Sequence, residues 1–291
     1  MGYSEIVKDY KNNEILRRSF NDLACKTFEI DFEEWFKNSF WDDTYTPFSF
    51  VENSEVVSNV STSRVKIISN SNIFNAIQIG TVMTKEEHRK KGLATQLMKM
   101  IIADECGKAD VIFLFPNERE FSFYEKLGFT LIYDKKYSLE EIPVKRVSAI
   151  KHLNMELESD KRFVEKGIKA RMAVSNRFDS IEDSSIRLWY LTYSLKNMIY
   201  YISELNSMVV YELKEDVLHL YDIISNEKQD INEIVSFVIG EKTKRVKLYF
   251  TPDNKFFKEN AVVEKNSNPL FYLSQKFSFP SSFSFPYIAR A

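Results

Sequence analysis

The spacing of apolar residues divides the first part of the chain into helices followed by strands. Residues 12–28 repeat apolar side chains every three or four positions, which predicts an amphipathic helix. A second helix is predicted over residues 31–40, because Asp31 is a candidate N-cap and Glu34 completes a capping box three residues later. Strand-like runs then predict three strands, over residues 48–53, 63–69 and 76–84.

Strands and helices alternate in the segment that follows. Apolar residues spaced by four between positions 93 and 102 predict a helix that ends at Gly107. A strand buried on both faces, a helix and another strand are predicted over residues 109–116, 117–128 and 129–139. Strand–helix–strand order indicates a mixed sheet with parallel pairs, so we expect residues 1–145 to form one α/β domain.

The rest of the chain echoes this order without a recognisable sequence repeat. After a connector over 142–159, a long helical stretch, a hairpin, a helix and a strand are predicted over residues 179–202, 208–224, 230–240 and 245–253. The phenylalanine-rich tail, residues 269–291, is too apolar for a disordered end and is expected to dock on a sheet. We therefore expect residues 146–291 to form a second domain.

Composition narrows the functional classes. A net charge of −2 argues against a nucleic-acid or membrane partner, because any electrostatic recognition must then be local. No apolar run approaches the roughly 20 residues of a membrane span, and the N-terminus lacks the apolar core of a signal peptide, so a cytoplasmic location is expected. No metal site is expected, because no metal-ligand spacing joins Cys25, Cys106, His88, His152 and His219.

One stretch, EEHRKKGLATQLMKM (residues 86–100), carries candidate chemistry. Its basic residues run into Gly92 directly before a predicted helix and after a predicted strand. A helix N-terminus exposes unpaired N–H groups and a partial positive charge, so this loop suits a pyrophosphate. Neither a Walker loop nor a GxGxxG fingerprint is present. Taken alone, the stretch is also typical of a basic helix start on a solvated surface, and that alternative stays open at this point.

Two segments, TVMTKEEHRKKGLATQLM (81–98) and NEREFSFYEKLGF (117–129), together resemble the GNAT (Gcn5-related) N-acetyltransferase superfamily. Arg89-x-x-Gly92-x-Ala94 matches its pyrophosphate loop, and FYEKLGF matches its second signature. The resemblance implies the GNAT acyl-CoA N-acyltransferase fold, an α/β (mixed α+β) fold with a mixed, mostly antiparallel central sheet flanked by helices. Larger tandem relatives of the aminoglycoside-acetylating type carry a second, degenerate GNAT-like domain, which we expect over residues 146–291.

The resemblance also implies roles for individual residues. The expected contacts of acetyl-CoA are, for its pantetheine arm, Val82, Met83, Thr84 and Asn117, and, for its pyrophosphate, Arg89, Lys90, Lys91, Gly92, Leu93, Ala94 and Thr95. Tyr124 matches the tyrosine that protonates the departing thiolate. Other interpretations stay open: Asn117 as a helix N-cap, Tyr124 as a core aromatic residue, and His88 as a mere neighbour of the loop.

The proton acceptor is not evident from the sequence. Some relatives carry a glutamate on the strand before the loop, where this chain has Gln78, which cannot accept a proton. A water chain is one alternative. The others are four carboxylates that are more often solvated surface charges, namely Glu33, Glu34, Asp42 and Asp43. In some tandem relatives the C-terminal carboxylate lies near the active site, which makes Ala291 a further candidate. The second domain lacks the loop motif, since NEKQ (226–229) contains no glycine.

Together these features predict an N-acetyltransferase. It would transfer an acetyl group from acetyl-CoA to a primary amine of a small molecule, peptide or protein, with Tyr124 as general acid. The expected partner is an amine-bearing acceptor, without nucleic acid or membrane, and a homodimer is left open. The alternative is an acyl-CoA-binding sensor or interaction module with little turnover.

Overall fold

Two β-sheets with helices packed beside them make up this computed structural model, and the mixed α/β class expected from the sequence is confirmed. The structure describes residues 5–139, 143–146, 149–253, 262–264, 268–274 and 276–291. Within these ranges, no helix is both long enough and apolar enough to cross a membrane.

The strands in chain order are β1 (Glu5–Lys8), β2 (Tyr45–Glu52), β3 (Glu55–Ser69), β4 (Asn72–Thr84), β5 (Val111–Leu114), β6 (Thr130–Tyr133), β7 (Lys136–Leu139), β8 (Ile150–His152), β9 (Phe178–Ile181), β10 (Ile199–Ile202), β11 (Ser207–Lys214), β12 (Val217–Ile224), β13 (Arg245–Leu248), β14 (Val262–Glu264) and β15 (Pro269–Leu273). The helices are α1 (Glu14–Phe28), α2 (Glu33–Lys37), α3 (Leu93–Glu105), α4 (Phe121–Lys126), α5 (Glu158–Ala170), α6 (Ser184–Thr192) and α7 (Ile231–Val238). Short 3-10 turns lie at Glu86–His88, Glu118–Glu120, Ser203–Leu205 and Tyr287–Ala289.

Among the strands that the structure describes, each sheet contains one parallel pair beside antiparallel ones. The first sheet has the order β1-β2-β3-β4-β5-β15-β6, with β9 also paired to β3, and β4 runs parallel to β5. The second has the order β14-β7-β13-β12-β11-β10-β8, and β12 runs parallel to β13. In each case one helix, α3 or α7, connects the two parallel strands, as a parallel crossover requires.

The two sheets exchange strands across the boundary expected at residue 145. β7 lies before that residue but belongs to the second sheet, whereas β9 and β15 lie after it and belong to the first. β15 is inserted between β5 and β6, so the expected docking of the tail on a sheet is confirmed. The division into 1–145 and 146–291 stays a prediction, and the sheets do not follow it strand by strand.

Several helices form where the apolar spacing predicts them. α1 is capped by Asn13, whose Oδ1 accepts the Leu16 N–H at 3.2 Å, and it buries Leu16 and Phe20. α3 ends before Gly107, which adopts the left-handed conformation (φ 84°) expected of a residue after a helix C-cap. α7 is capped by Asp230, whose Oδ1 accepts the Asn232 N–H at 2.8 Å.

The predicted helix over residues 31–40 is shorter than expected. Only α2 is helical, and Asp31 accepts the Glu33 N–H at 2.6 Å without belonging to the helix. The backbone turns at Ser39, whose φ is 59°. A left-handed residue at that position ends any helical continuation.

The predicted single strand over residues 129–139 is wrong, because it divides into β6 and β7 in different sheets. The break lies at Asp134, which is 1% exposed. Its carboxylate accepts hydrogen bonds from the backbone N–H groups of Asn268 and Phe285 (both 3.2 Å) and from the Arg290 guanidinium at 2.7 Å. A buried carboxylate with these partners holds the chain where it passes between the sheets.

The predicted helical stretch over residues 179–202 is only partly helical. α6 occupies its centre, but β9 begins before it and β10 ends it. Glu182, with φ of 53°, separates β9 from α6. Pairing of β9 with β3 and of β10 with β11 overrides the local helical spacing.

A buried ion network links β9 of the first sheet with β12 of the second. The Arg187 guanidinium is fully buried and donates to Asp222 at 2.7 Å and to Asp183 at 2.8 Å. Arg171 donates to Asp179 at 2.9 Å and to Asp222 at 3.1 Å. Burial raises the pKa of Asp179, and the charges of the two arginines oppose that shift. The network therefore connects the sheets through paired charges in the interior.

Candidate active site

An uncapped helix N-terminus follows β4. Gly92 precedes α3 in the left-handed conformation (φ 79°), no side chain caps the helix, and its first turn contains no acidic residue. Within the described chain, Gln96 is the first residue of α3 whose backbone N–H has an acceptor, the Gly92 carbonyl at 3.0 Å. A Cβ built on Gly92 would meet nothing within 4 Å, so the space before the helix is open. The amides of residues 93–95 are free to bind an anion.

The loop between β4 and α3 adds positive charge to this N-terminus. Arg89, Lys90 and Lys91 are all exposed. The Arg89 Nε donates to the Thr84 carbonyl at 3.3 Å, so this side chain contacts the end of β4. Lys90 has a left-handed φ of 62°. Three cations and a helix dipole therefore act in the same direction on an incoming anion.

Two contacts anchor the start of this loop to the β2–β3 hairpin. The His88 Nε2 lies 2.9 Å from a carboxylate oxygen of Glu52, and the ammonium of Lys85 pairs with Glu55. The His88 side chain is 17% exposed. His88 thus lies beside the loop and has a structural partner.

β4 separates from β5 just beyond their shared ladder. Parallel pairing covers Ala76–Ile79 against Val111–Leu114 and then stops. Beyond the ladder with β5, the last two residues of β4, Met83 and Thr84, pair with β3 on one side only. β5 does not pair with the opposite backbone edge of this part of β4. That unpaired edge is the one expected to contact a pantetheine arm.

A bulge in β4 causes the divergence. The register with β3 shifts between Gly80 and Met83, and Thr81 has a left-handed φ of 49°. The buried Asn59 amide donates to the Thr81 carbonyl at 2.8 Å, and the Tyr45 hydroxyl lies 2.9 Å from the Thr81 hydroxyl. A bulge held by buried side chains bends a strand in a fixed direction.

Tyr124 lies on α4 and is 6% exposed. Its ring packs against Phe271 and Phe129, with centroids 5.6 and 6.3 Å apart. Burial, reinforced by the charge of Glu120, raises the pKa of its phenol above the ordinary value. No described residue forms a hydrogen bond with the hydroxyl. Tyr124 is thus both a core aromatic residue and a protonated donor at neutral pH.

Asn117 lies between β5 and α4 and is exposed. Its backbone carbonyl accepts the Glu120 N–H at 3.0 Å and so begins the 3-10 turn before α4. The expected contact of Asn117 with pantetheine stays a prediction.

Gln78 holds the C-terminal segment. It is fully buried on β4, its Nε2 donates to the Ala289 carbonyl at 2.9 Å, and its Oε1 accepts the Ala291 N–H at 2.7 Å. Both ends of this buried amide are therefore engaged by the segment of residues 289–291. This geometry gives Gln78 a positioning role.

The segment ends against the bulge of β4. A Cβ built on Gly80 would lie 3.1 Å from the carbonyl carbon of Ala291 and 3.2 Å from its Cβ. The Tyr190 hydroxyl donates to the Arg290 carbonyl at 3.0 Å. Sequence reasoning missed Gly80 and Tyr190, because their partners are distant in the chain and no local motif marks them.

The four candidate carboxylates near α2 are engaged locally. Their partners are Arg17 for Glu33 (3.2 Å), Lys37 for Glu34 (2.8 Å), the Thr44 N–H for Asp42 (2.9 Å) and Lys11 for Asp43. These contacts are ion pairs, of which the one between Arg17 and Glu33 is largely buried, and a capped turn.

The sequence model of the family described as "Acetyltransferase (GNAT) domain" matches residues 11–132, which contain β4, the loop, α3 and α4. Residues 11–132 belong to the GNAT acetyltransferase family. No curated protein sequence matches the chain. The uncapped α3 and the separated β4 and β5 are thus features of a GNAT domain.

Solved structures share the fold over nearly the whole chain. A probable N-acyltransferase of unknown function from Enterococcus faecalis aligns with a TM-score of 0.63 and 18% identity, over 93% of this chain and 72% of its own. A GCN5-related N-acetyltransferase from Kribbella flavida aligns with a TM-score of 0.58 and 15% identity, over 92% of this chain and 71% of its own. Eis1 from Mycobacterium abscessus aligns with a TM-score of 0.58 and 12% identity, over 93% of this chain and 73% of its own. At such identities the likeness establishes the fold.

Proposed function

We propose that this GNAT protein transfers the acetyl group of acetyl-CoA to a primary amine on a small molecule, peptide or protein. The uncapped N-terminus of α3 beside the unpaired edge of β4 carries the proposal. The first offers N–H donors to a pyrophosphate, and the second offers backbone pairing to the pantetheine arm.

The proposed cofactor contacts are those that the resemblance to GNAT enzymes implies, and the geometry of α3 and β4 supports them. The amides of Leu93, Ala94 and Thr95 donate to the pyrophosphate, and the exposed side chains of Arg89, Lys90 and Lys91 surround it with positive charge. Gly92 leaves the approach open because it has no side chain. The pantetheine arm pairs with the backbone of Val82, Met83 and Thr84, and Asn117 is its proposed side-chain contact.

Tyr124 is the proposed general acid. The amine nitrogen attacks the thioester carbonyl carbon, the carbon–sulfur bond breaks, and the departing thiolate receives the phenol proton. Because burial raises the pKa of Tyr124, the donor form persists throughout the neutral range. Positioned proton transfer of this kind contributes typically about 10²- to 10⁴-fold to the rate.

The attacking amine must first lose its proton. A lysine-like amine with a pKa near 10.4 is about 3.4 units too basic at pH 7, which costs roughly 4.6 kcal/mol. Gln78 cannot accept this proton. We propose a carboxylate at Ala291 as the acceptor, because Ala291 lies against Gly80 where β4 and β5 diverge. The hydrogen bonds of Gln78 and Tyr190 to the same segment position it.

The second sheet with α7 is the proposed degenerate GNAT-like domain. β12, α7 and β13 repeat the arrangement of β4, α3 and β5, with a parallel strand pair joined by a helix. The N-terminus of α7 differs from that of α3, because Asp230 caps it and Glu233 stands in its first turn. Two carboxylates there repel a phosphate, so only the first domain is proposed to bind acetyl-CoA.

Release of CoA measured against a panel of primary amines tests the activity, with Tyr124→Phe as the impaired variant. Turnover that depends on Tyr124 supports the acetyltransferase. Tight binding of acetyl-CoA without turnover for any amine would favour the alternative, an acyl-CoA-binding sensor.

A further inference from the structure

A cavity of about 190 Å³ lies between the second sheet and the C-terminal segment. The antiparallel register of β7 and β13 pairs Lys247 with Ser138, which directs both side chains to one face of the sheet. Lys136 lies two residues before Ser138 and shares that face. The segment that ends at Ala291 contributes Ser284 and Arg290 to the opposite wall.

The cavity is cationic. Lys136 and Lys247 line it, and neither ammonium has an ion-pair or hydrogen-bond partner among the described residues. Arg290 also lines it, but its charge is shared with Asp134 at 2.7 Å. No acidic residue is among the lining residues in the described part of the chain. Two lysines, the exposed Lys136 and the partly buried Lys247, therefore bring positive charge to the same cavity.

Several polar groups in the wall have no hydrogen-bond partner among the described residues. Ser138 is 6% exposed and Ser284 is 5% exposed, and no described residue forms a hydrogen bond with either hydroxyl. The buried Nε of Arg290 also has no hydrogen-bond partner. Because buried polar groups are nearly always hydrogen-bonded, the unpartnered Nε of Arg290, together with the two hydroxyls and two ammonium groups that line the same cavity, points to a ligand with several acceptor oxygens. The volume suits one small oxyanion or roughly six waters.

The cavity adjoins the proposed site of chemistry. Arg290 lines it, and the next residue, Ala291, lies against Gly80 on β4. The Arg290 guanidinium stands over the ring of Phe115, 4.9 Å from its centroid, and Phe115 directly follows β5. The cavity thus lies next to the place where β4 and β5 separate.

We propose that this cavity binds the carboxylate or phosphate group of the acceptor, so that the substrate class is amines that also carry an oxyanion. The role as acceptor site rests on the proposed acetyltransferase function, whereas anion binding itself does not. Lys136 and Lys247 supply charge, and the serine hydroxyls and Arg290 supply hydrogen bonds. The amine is then presented toward Ala291 and the acyl group.

Anion binding is tested without turnover by labelling lysines with an acylating reagent, read by mass spectrometry. Inorganic phosphate, compared with chloride at equal ionic strength, should slow labelling of Lys136 and Lys247. The exposed Lys108 and Lys242 are internal controls and should label at an unchanged rate. Equal effects of phosphate on all four lysines would overturn the proposed anion site.

The acceptor role is tested with β-alanine, aminopropyl phosphate and aminopropanol, which share an amine but differ at the other end. We expect kcat/KM for one anionic amine to exceed that for aminopropanol by at least about tenfold, the value of one charge-assisted hydrogen bond. The better of the two anionic amines identifies carboxylate or phosphate as the preferred group. Equal kcat/KM for all three amines would contradict the acceptor role.

Paired variants complete the test. The double variant Lys136→Met with Lys247→Met should reduce the ratio of kcat/KM for the anionic amine to kcat/KM for aminopropanol to about one. Its affinity for acetyl-CoA should be unchanged. Lys108→Met with Lys242→Met makes the same change in net charge and should leave the preference intact. Protection of Lys136 and Lys247 by phosphate without turnover of any amine would contradict the proposed function and leave the anion site standing. Turnover of an amine without protection of Lys136 and Lys247 by phosphate would contradict the anion site and leave the proposed function standing.

Discussion

The backbone N–H of Ala291 donates to the side-chain oxygen of Gln78 at 2.7 Å, across a separation of 213 residues. The other end of the same amide donates to the Ala289 carbonyl at 2.9 Å. A glutamate at position 78 would keep the acceptor but lose the donor. The amide therefore suits a protein in which this β4 position holds the C-terminal segment, and the proposed proton acceptor moves to Ala291.

Replacing Gln78 should loosen that segment. Gln78→Met keeps the size of the side chain but leaves the buried Ala289 carbonyl and the Ala291 N–H without their partner, so the free energy of unfolding should fall by about 1–3 kcal/mol. Residues 289–291 should also become more sensitive to carboxypeptidase. Gln96→Met, at an exposed position of α3, is the matched control. Digestion at the same rate in both variants would contradict the positioning role.

Extending the chain should impair the chemical step. Two residues, Gly-Ser, added after Ala291 move the proposed carboxylate away from that position. We expect kcat to fall by about 10²-fold or more, with the affinity for acetyl-CoA unchanged. Ala291→Ser retains the carboxylate and should keep kcat. An extended protein with full kcat would rule out Ala291 as proton acceptor.

Deleting residues 280–291 is not a clean test of the same point. That segment contains Phe283, Phe285 and Ile288, each 2% exposed or less. Removing them would expose a large part of the core, so a loss of activity would report unfolding.

Tyr124→Phe should lower kcat by about 10²-fold or more while leaving acetyl-CoA binding unchanged, because only the proton donor is lost. Tyr133→Phe, at an exposed tyrosine, is the control. In the wild type, the donor form exists below the pKa of Tyr124, which burial raises. The rate should therefore show no decline from phenol ionisation up to about pH 10, the ordinary tyrosine pKa. Full kcat in Tyr124→Phe would refute its role as general acid.

Arg187→Met should destabilise the fold strongly. The change leaves Asp222 and Asp183 buried without their main partner, and removal of one member of a buried ion pair costs about 3–5 kcal/mol. Urea denaturation measures the loss. Arg162→Met, in an exposed pair with Glu158, is the comparison. Equal stability of the two variants would show that the network between β9 and β12 is dispensable.

The features predictable from sequence are those encoded by neighbours in the chain. The loop and α3 follow from Gly92 and the four-residue apolar spacing after it. The caps Asn13 and Asp230 act within three residues, and the pyrophosphate-loop motif and FYEKLGF are both continuous segments.

Features determined by distant partners were not predictable. β3 begins at Glu55, eight residues before the predicted strand, because Ser58 and Asn59 are polar yet fully buried. The break at Asp134 depends on Asn268 and Arg290. Likewise, the sequence shows that Gln78 cannot accept a proton, but only the fold reveals that it holds residues 289–291.

The most direct test of the central claim is calorimetric titration of acetyl-CoA into the wild type, Gly92→Trp and Gly107→Trp. Both glycines have left-handed φ values, 79° and 84°, and open space around a built Cβ, so the two changes strain the backbone alike. Only Gly92 stands before the free amides of α3. We predict that affinity falls at least about tenfold in Gly92→Trp and stays unchanged in Gly107→Trp. Wild-type affinity in Gly92→Trp would contradict the assignment of the N-terminus of α3 as the pyrophosphate site.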